Sequence, residues 1–312
     1  MPCNLETIIT GLKLTNPTIL ASGVLGVTKA SLKNVINNGA GAVTTKSISL
    51  EPRHGHKAPI IITYEAGMLN AVGYSNQGSI KAAEEFNNAA AVGAPVIGSV
   101  IGQSVEDFIK VISATQDCGF SAIEVPLSCP HTPGYGTLGG QHTPEMAEKI
   151  TKAIKQISKL PLWIKVSPNE NMIAVAKAAE AAGADAIVAG NSMGPGMIID
   201  IKTAKPILGF KMGGVSGPAL RPIAVRCVFD LYQAIKIPII GCGGVTTGRD
   251  LIEMMMAGAT AVAIGTAVYY RGVSVFKKIT EEAQQFLTEN NYKDIKEIIG
   301  LVHGQNHPTD HC

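Results

Sequence analysis

Short apolar runs alternate with helical stretches about eight times along the 312 residues, and this rhythm constrains the fold more than any other feature. The runs lie at residues 17–23, 42–47, 95–100, 122–128, 162–167, 186–191, 238–243 and 261–267. They are apolar throughout rather than at every second position. Strands buried on both faces look like that, and parallel sheets are the usual cause. Helical patterns fall between them at 31–38, 79–91, 104–118, 145–158, 171–182, 219–235 and 247–257, with 275–290 and 294–301 after the last run. Ser104 and Thr143 stand as N-caps, Pro144 at a first helical position, and Gly39 and Gly93 as stop signals. Such repeated alternation predicts an α/β fold, a (β/α)8 TIM barrel, with a doubly wound open sheet as the alternative. Residues 48–78 and 192–217 fit neither pattern and are expected as two insertions over the C-terminal face. No linker or shift in composition interrupts the chain, so one domain is expected over residues 1–302, with 303–312 as a flexible tail.

A net charge of +2 gives no electrostatic case for nucleic acid. The six cysteines, at 3, 118, 129, 227, 242 and 312, form no CxxC pair, which argues against a zinc site or a disulfide framework and fits a reducing cytoplasm. Residues 1–5 carry no basic segment followed by an apolar core, and no apolar run approaches the ~18 residues of a membrane span. The histidine-containing tail has the composition of a disordered end as much as of a metal motif, and no metal is expected.

Barrel chemistry sits where strands end. Those ends carry Ser22, Lys46 and Ser47, Ser99, Cys129, Lys165, Asn191 and Ser192, Gly243 and Gly244, and Gly265 and Thr266. A lysine closing an apolar strand is costly unless paired. Snorkelling to solvent explains one such residue better than it explains both Lys46 and Lys165. The loops 241–245 and 265–266 follow the seventh and eighth strands, where this barrel binds phosphate through backbone N–H groups, and the loop 213–217 is placed to close over the same group. Tight-turn glycine accounts for any one of these loops, and less well for all of them. No GxGxxG opens a helix after the first strand, which argues against a Rossmann site. Cys129 ends the fourth strand in Ser-Cys-Pro and opens a loop rich in Gly and Pro; it reads as a reactive thiol or as a small buried hydrophobe. A barrel with a phosphate site, cationic lysines and a loop thiol suits a flavin mononucleotide (FMN) enzyme, with Lys165 facing the flavin and the thiol as base.

Over residues 5–278 the chain resembles the dihydroorotate dehydrogenase family, closest to the soluble class (class 1B) that works with a separate iron–sulfur flavoprotein subunit. The resemblance rests on NPTILASGVLG at 16–26, GAVTTKSISLEPR at 41–53, GMLNAVGYSN at 67–76, Ser128-Cys129-Pro130, GGVSGPALRPIAVR at 213–226 and IIGCGG at 239–244. It implies that Cys129 is the catalytic base and that Lys46 contacts both flavin and substrate. It implies that Asn70, Ala71, Val72, Gly73 and Tyr74, with Asn76, form the substrate loop, and that Asn191 and Ser192 hold the substrate ring. It implies flavin contacts at Ser22, Ser47, Lys165, Gly217, Gly243, Gly244, Gly265 and Thr266; Ser99, which stands where the family tends to have Asn, is expected at the cofactor as well. The implied reaction is oxidation of dihydroorotate to orotate in pyrimidine biosynthesis, with a proton leaving C5 and a hydride leaving C6 for flavin N5. The implied partner is an iron–sulfur/FAD electron-transfer subunit, in a homodimer or heterotetramer.

Around the base the family usually reads Asn-x-Ser-Cys-Pro-Asn, whereas Pro126 and His131 stand at the two asparagine positions here. Proline offers the ring neither donor nor acceptor, so orotate is expected to bind less well than the resemblance alone implies, with His131 as the replacement contact. Ser-Cys-Pro-His also resembles the flavin domain of dihydropyrimidine dehydrogenases. A relative acting on another unsaturated ring, and a flavin- or phosphate-binding barrel without turnover, are the alternatives.

Overall fold

The computed structural model describes residues 3–127, 134–135, 140–168 and 171–304. The chain opens with a hairpin, Thr7–Ile9 (β1) and Leu12–Leu14 (β2), joined through Thr10 and Gly11. Both turn residues have positive φ, 47° and 83°, as a tight turn matching the strand twist requires. No element is expected there from the sequence, because three-residue strands carry almost no periodicity.

The barrel follows in strand–helix order: Thr18–Leu20 (β3), Lys29–Asn37 (α1) and Ala42–Thr44 (β4) come first. After the first insertion, with Ile61–Tyr64 (β5) and Gly67–Asn70 (β6), come Gly78–Phe86 (α2), Val96–Ser99 (β7), Val105–Thr115 (α3), Ala122–Pro126 (β8), Pro144–Ile157 (α4), Leu162–Val166 (β9), Met172–Ala181 (α5) and Ala186–Ala189 (β10). The second insertion holds Met193–Gly196 (β11), Ile199–Asp200 (β12), Lys205–Pro206 (β13) and Gly213–Ser216 (β14). Arg221–Ala234 (α6), Ile239–Cys242 (β15), Gly248–Met256 (α7), Ala261–Ile264 (β16), Ala267–Arg271 (α8) and Val275–Glu289 (α9) complete it. Strands β3, β4, β7, β8, β9, β10, β15 and β16 pair in parallel, and β16 closes on β3. This is the expected (β/α)8 barrel.

The continuous apolar runs have a direct cause. Ile123, Val125, Leu162, Ile164 and Val166 pack outward with the helices, while Ala122 and Trp163 pack inside the barrel. Ile9 and Leu14 of the hairpin join that interior cluster, and Trp163 Nε1 donates to Thr10 Oγ1 at 3.1 Å, so the hairpin plugs the N-terminal end. On the same inward parity, nearer the C-terminal ends, the strands carry Ser99, Glu124 and Lys165 in place of hydrocarbon.

The two insertions form one antiparallel sheet in the order β11-β14-β6-β5, with Asn70 opposite Gly214. Elsewhere the boundaries move. The helical run expected to Ala91 ends at Phe86, because Asn88 turns to φ 56°. The helix expected over 294–301 is a pair of short 3₁₀ turns, Ile295–Ile298 and Leu301–Gly304. Helix α8 directly after β16 is not foreseen. Among the described residues no helix is long and apolar enough to cross a membrane.

Candidate active site

A cavity of about 940 Å³ opens at the C-terminal ends of the barrel strands, bounded on one side by the insertion sheet through Ile62, Met68 and Asn70. Its floor at Lys165 and the layer beneath it are polar and buried. Lys165 of β9 is 3% exposed, Glu124 of β8 2% and Ser99 of β7 0%. Lys165 Nζ donates to Ser22 Oγ at 3.2 Å and lies 3.8 Å from Glu124 Oε1. Ser99 Oγ donates to Glu124 Oε1 at 3.2 Å and lies 3.0 Å from Ser47 Oγ.

An ion pair at this separation is worth about 4 kcal/mol at an effective dielectric of about 20. Removing each ion from water costs several kcal/mol, so the pair adds little to net stability and its presence calls for another reason. Burial works against the Lys165 charge, but its charge and hydrogen-bond interactions, Glu124 first among them, together outweigh that cost, so the ammonium is held above its ordinary range. Burial pushes the Cys242 thiol up; Lys165 opposes this and Glu124 reinforces it, which keeps the thiol protonated at neutral pH.

Lys46 differs. It lines the cavity just beyond β4, and burial lowers its pKa. Among the described residues no hydrogen bond or ion pair answers its charge. An anionic ligand in the cavity would offset that desolvation.

The glycine loops sit where the sequence places them. Gly217, Gly243, Gly244, Gly265 and Thr266 all line the cavity. Gly244 has φ 72°, and a Cβ there would lie 2.7 Å from the Arg221 backbone nitrogen, so glycine is required. The adjoining turn is fixed by Asp250, which is 3% exposed. Its Oδ2 accepts from Thr246 N, Thr246 Oγ1 and Thr247 N, each at 2.9 Å, and its other oxygen accepts from Arg221. Thr266 Oγ1 donates to Ser216 Oγ at 3.1 Å and ties the eighth-strand loop to the insertion sheet. Gly265 needs no special backbone: a Cβ on it would meet only Ala21 Cβ at 3.6 Å and Val24 Cγ2 at 3.9 Å, both cavity-lining residues. A side chain at Gly265 would therefore take up cavity space without meeting the fold. This lining is compatible with a flavin nucleotide: the glycine loops offer backbone N–H groups to a phosphate, Lys165 and Ser22 give a polar floor, and there is room beside Gly265.

The cavity brings together most of the expected substrate residues: Asn70, Val72, Gly73, Tyr74, Asn191 and Ser192 line it, as do Ser22 and Ser47. Asn70 spends a donor on Gly214 O at 3.2 Å, and Asn191 Oδ1 accepts from Ser192 N at 2.8 Å. Ala71 is fully buried, and its amide donates to Ile60 O at 2.8 Å. Ser99 lies beneath the cavity and reaches it through Ser47 on one side and through Glu124 and Lys165 on the other. Asn76 is occupied within its own loop: Nδ2 donates to Ser49 Oγ and Tyr74 O at 2.8 Å, and Oδ1 accepts from Gly78 N at 2.9 Å. Pro126 lines the cavity wall. Cys129 and His131 lie outside the described residues. The sequence reading gives no role to Glu124 or Cys242. An acid inside an apolar strand, on the same parity as Ala122, is the signal that points to Glu124.

Residues 4–287 match the family model for dihydroorotate dehydrogenase, and the chain belongs to that family. Its members are flavoprotein oxidoreductases. Among curated proteins, the chain is 46% identical over 300 residues to the dihydroorotate dehydrogenase B (NAD(+)) catalytic subunit of Methanosarcina acetivorans, covering 95% of each. It is 47% identical over 294 residues to the protein of the same description from Methanocella arvoryzae, covering 94% of this chain and 96% of that one. The Methanocaldococcus jannaschii counterpart is 44% identical over 306 residues, covering 96% and 99%.

Proposed function

We propose that this chain is an FMN-dependent catalytic subunit that oxidises dihydroorotate to orotate, with Cys129 as the base. The observation that carries the reading is Lys46, a desolvated cation on the cavity wall with no counter-charge among the described residues. The substrate carboxylate supplies that charge. Lys46 binds and orients the ring, Asn191 and the 70–74 loop hold its edge, and the Cys129 thiolate takes the C5 proton. FMN, when bound, supplies the acceptor for the C6 hydride. Lys165 would hold it with positive charge from the cavity floor, and the apolar walls would exclude water.

The relatives' description as catalytic subunits supports a second, electron-transfer subunit as partner, in a heterotetramer or on a homodimer. One cofactor-binding domain over residues 1–302, working in the cytoplasm, belongs to the same proposal. The closed barrel supports it, as does the docking of Ile295 N on Asn4 O at 2.9 Å.

The test is anaerobic mixing of purified protein with dihydroorotate, followed by chromatography of the cofactor released on denaturation. Bleaching of a bound flavin that elutes as FMN is expected; FAD, or a flavin that dihydroorotate leaves oxidised, overturns the reading. A second reading, another dihydropyrimidine or unsaturated ring, is favoured by Pro126 on the cavity wall.

A further inference from the structure

The side chains of Ser47, Ser99, Glu124, Lys165 and Ser22 form one unbroken chain through the barrel interior. They come from the ends of β4, β7, β8, β9 and β3. Ser22, Ser47 and Lys165 line the cavity, whereas Glu124 and Ser99 do not. Glu124 therefore faces no ligand space and bears on a ligand only through its neighbours.

We propose that Glu124 is a positioning residue for the flavin, fixing Lys165 Nζ at the cavity floor and keeping that group an ammonium. This deepens the FMN reading above and rests on it. Among the described residues, the groups facing Lys165 include Glu124 from β8, Cys242 from β15 and Ser22 from the end of β3. Ser22 is neutral, and Cys242 stays protonated at neutral pH. Among the described residues, the carboxylate of Glu124 is thus the charge that chiefly offsets burial of the ammonium. A flavin that accepts a hydride gains negative charge on its ring. A fixed ammonium beside it stabilises that charge without reorganisation, and a neutral amine does not.

The experiment measures the midpoint potential of the bound flavin against pH, and the ratio of reduced- to oxidised-flavin affinity, in the holoprotein and its variants. In Glu124→Gln, burial of Lys165 is no longer offset by that carboxylate, and its proton is held less tightly. The potential falls toward that of Lys165→Met, and the affinity ratio drops by about tenfold or more. Lowering the pH restores the potential in Glu124→Gln and not in Lys165→Met. An unchanged or raised potential in Glu124→Gln at neutral pH overturns the proposal, since a rise is what a still-protonated lysine without its acid would give. The double variant Glu124→Leu/Lys165→Met removes both charges and guards against misfolding of the single variants. It should match Lys165→Met in affinity ratio; a further change there shows Glu124 acting by another route and overturns the proposal. Wild-type protein that binds no flavin overturns the functional reading and this inference with it, whereas bound flavin with unmoved potentials overturns this inference alone.

Discussion

The amide of Lys46 donates to the carbonyl of Gly26 at 2.7 Å, and a Cβ on Gly26 would lie 2.5 Å from that same nitrogen. The loop after β3 thus lies against the end of β4 with no room for a side chain, and this contact sets where Lys46 leaves the barrel. Gly26→Ala should force the two segments apart. The expected outcome is a loss of about 1–3 kcal/mol in denaturant unfolding, together with weaker binding of anionic ring ligands. Wild-type stability and wild-type ligand affinity together would contradict the contact.

Lys46→Met should weaken orotate by about tenfold to a hundredfold, because an anion loses its charge partner in a desolvated site. Uracil, which lacks the carboxylate, should bind almost unchanged. Burial lowers the Lys46 pKa, so its proton is lost at a pH below the ordinary lysine range. Orotate affinity should be level at lower pH and fall as pH rises through that lowered value, with Lys46→Met removing the fall. Flavin-perturbation titrations of both ligands across pH check each part.

Gly265→Ala separates the cradle from the fold. The new methyl meets protein only at ordinary contact distances, so thermal stability of the flavin-free protein should hold. FMN affinity should drop by about tenfold or more, since the methyl occupies ligand space. Equal FMN affinity in the two proteins would place the flavin elsewhere.

Cys129→Ala should abolish dihydroorotate-driven flavin reduction and leave FMN bound, because the base is gone and the cradle is not. Cys129→Ser should retain a little activity that recovers toward high pH, where a poor base is more often deprotonated. Stopped-flow bleaching of the flavin reads both. An Ala variant reducing flavin at the wild-type rate refutes the role.

Pro126 lines the cavity and offers a pyrimidine edge no hydrogen bond. Pro126→Asn should tighten orotate by about tenfold to a hundredfold and leave cyclic enones unaffected. Tight orotate binding before the change, and none gained after it, would show that other groups already satisfy the ring.

The barrel is legible in the sequence because burial on both faces of a parallel strand leaves an uninterrupted apolar run, and Lys46, Lys165 and the glycine loops stand out against that background. What is hidden depends on register between distant segments. Asn70 meets Gly214 only because two separate insertions share one sheet. Glu124 meets Lys165 only because β8 and β9 pair with Pro126 opposite Lys165. Asn76 shows the converse: a carboxamide reads the same in a sequence whether it faces a ligand or is consumed by its own loop. The opening hairpin is hidden for a simpler reason, being too short for any period to show.

That hairpin also gives the molecule an optical gauge. The chain has a single tryptophan, Trp163, pinned to Thr10 inside the barrel and two residues before Lys165 on the same strand. Two residues along a strand span about 7 Å. Indole emission overlaps flavin absorption, so a flavin seated above Lys165 would draw off the excitation of the only indole below it. One ultraviolet-excited signal then follows cofactor loading, and it returns when the barrel opens and the donor parts from its acceptor.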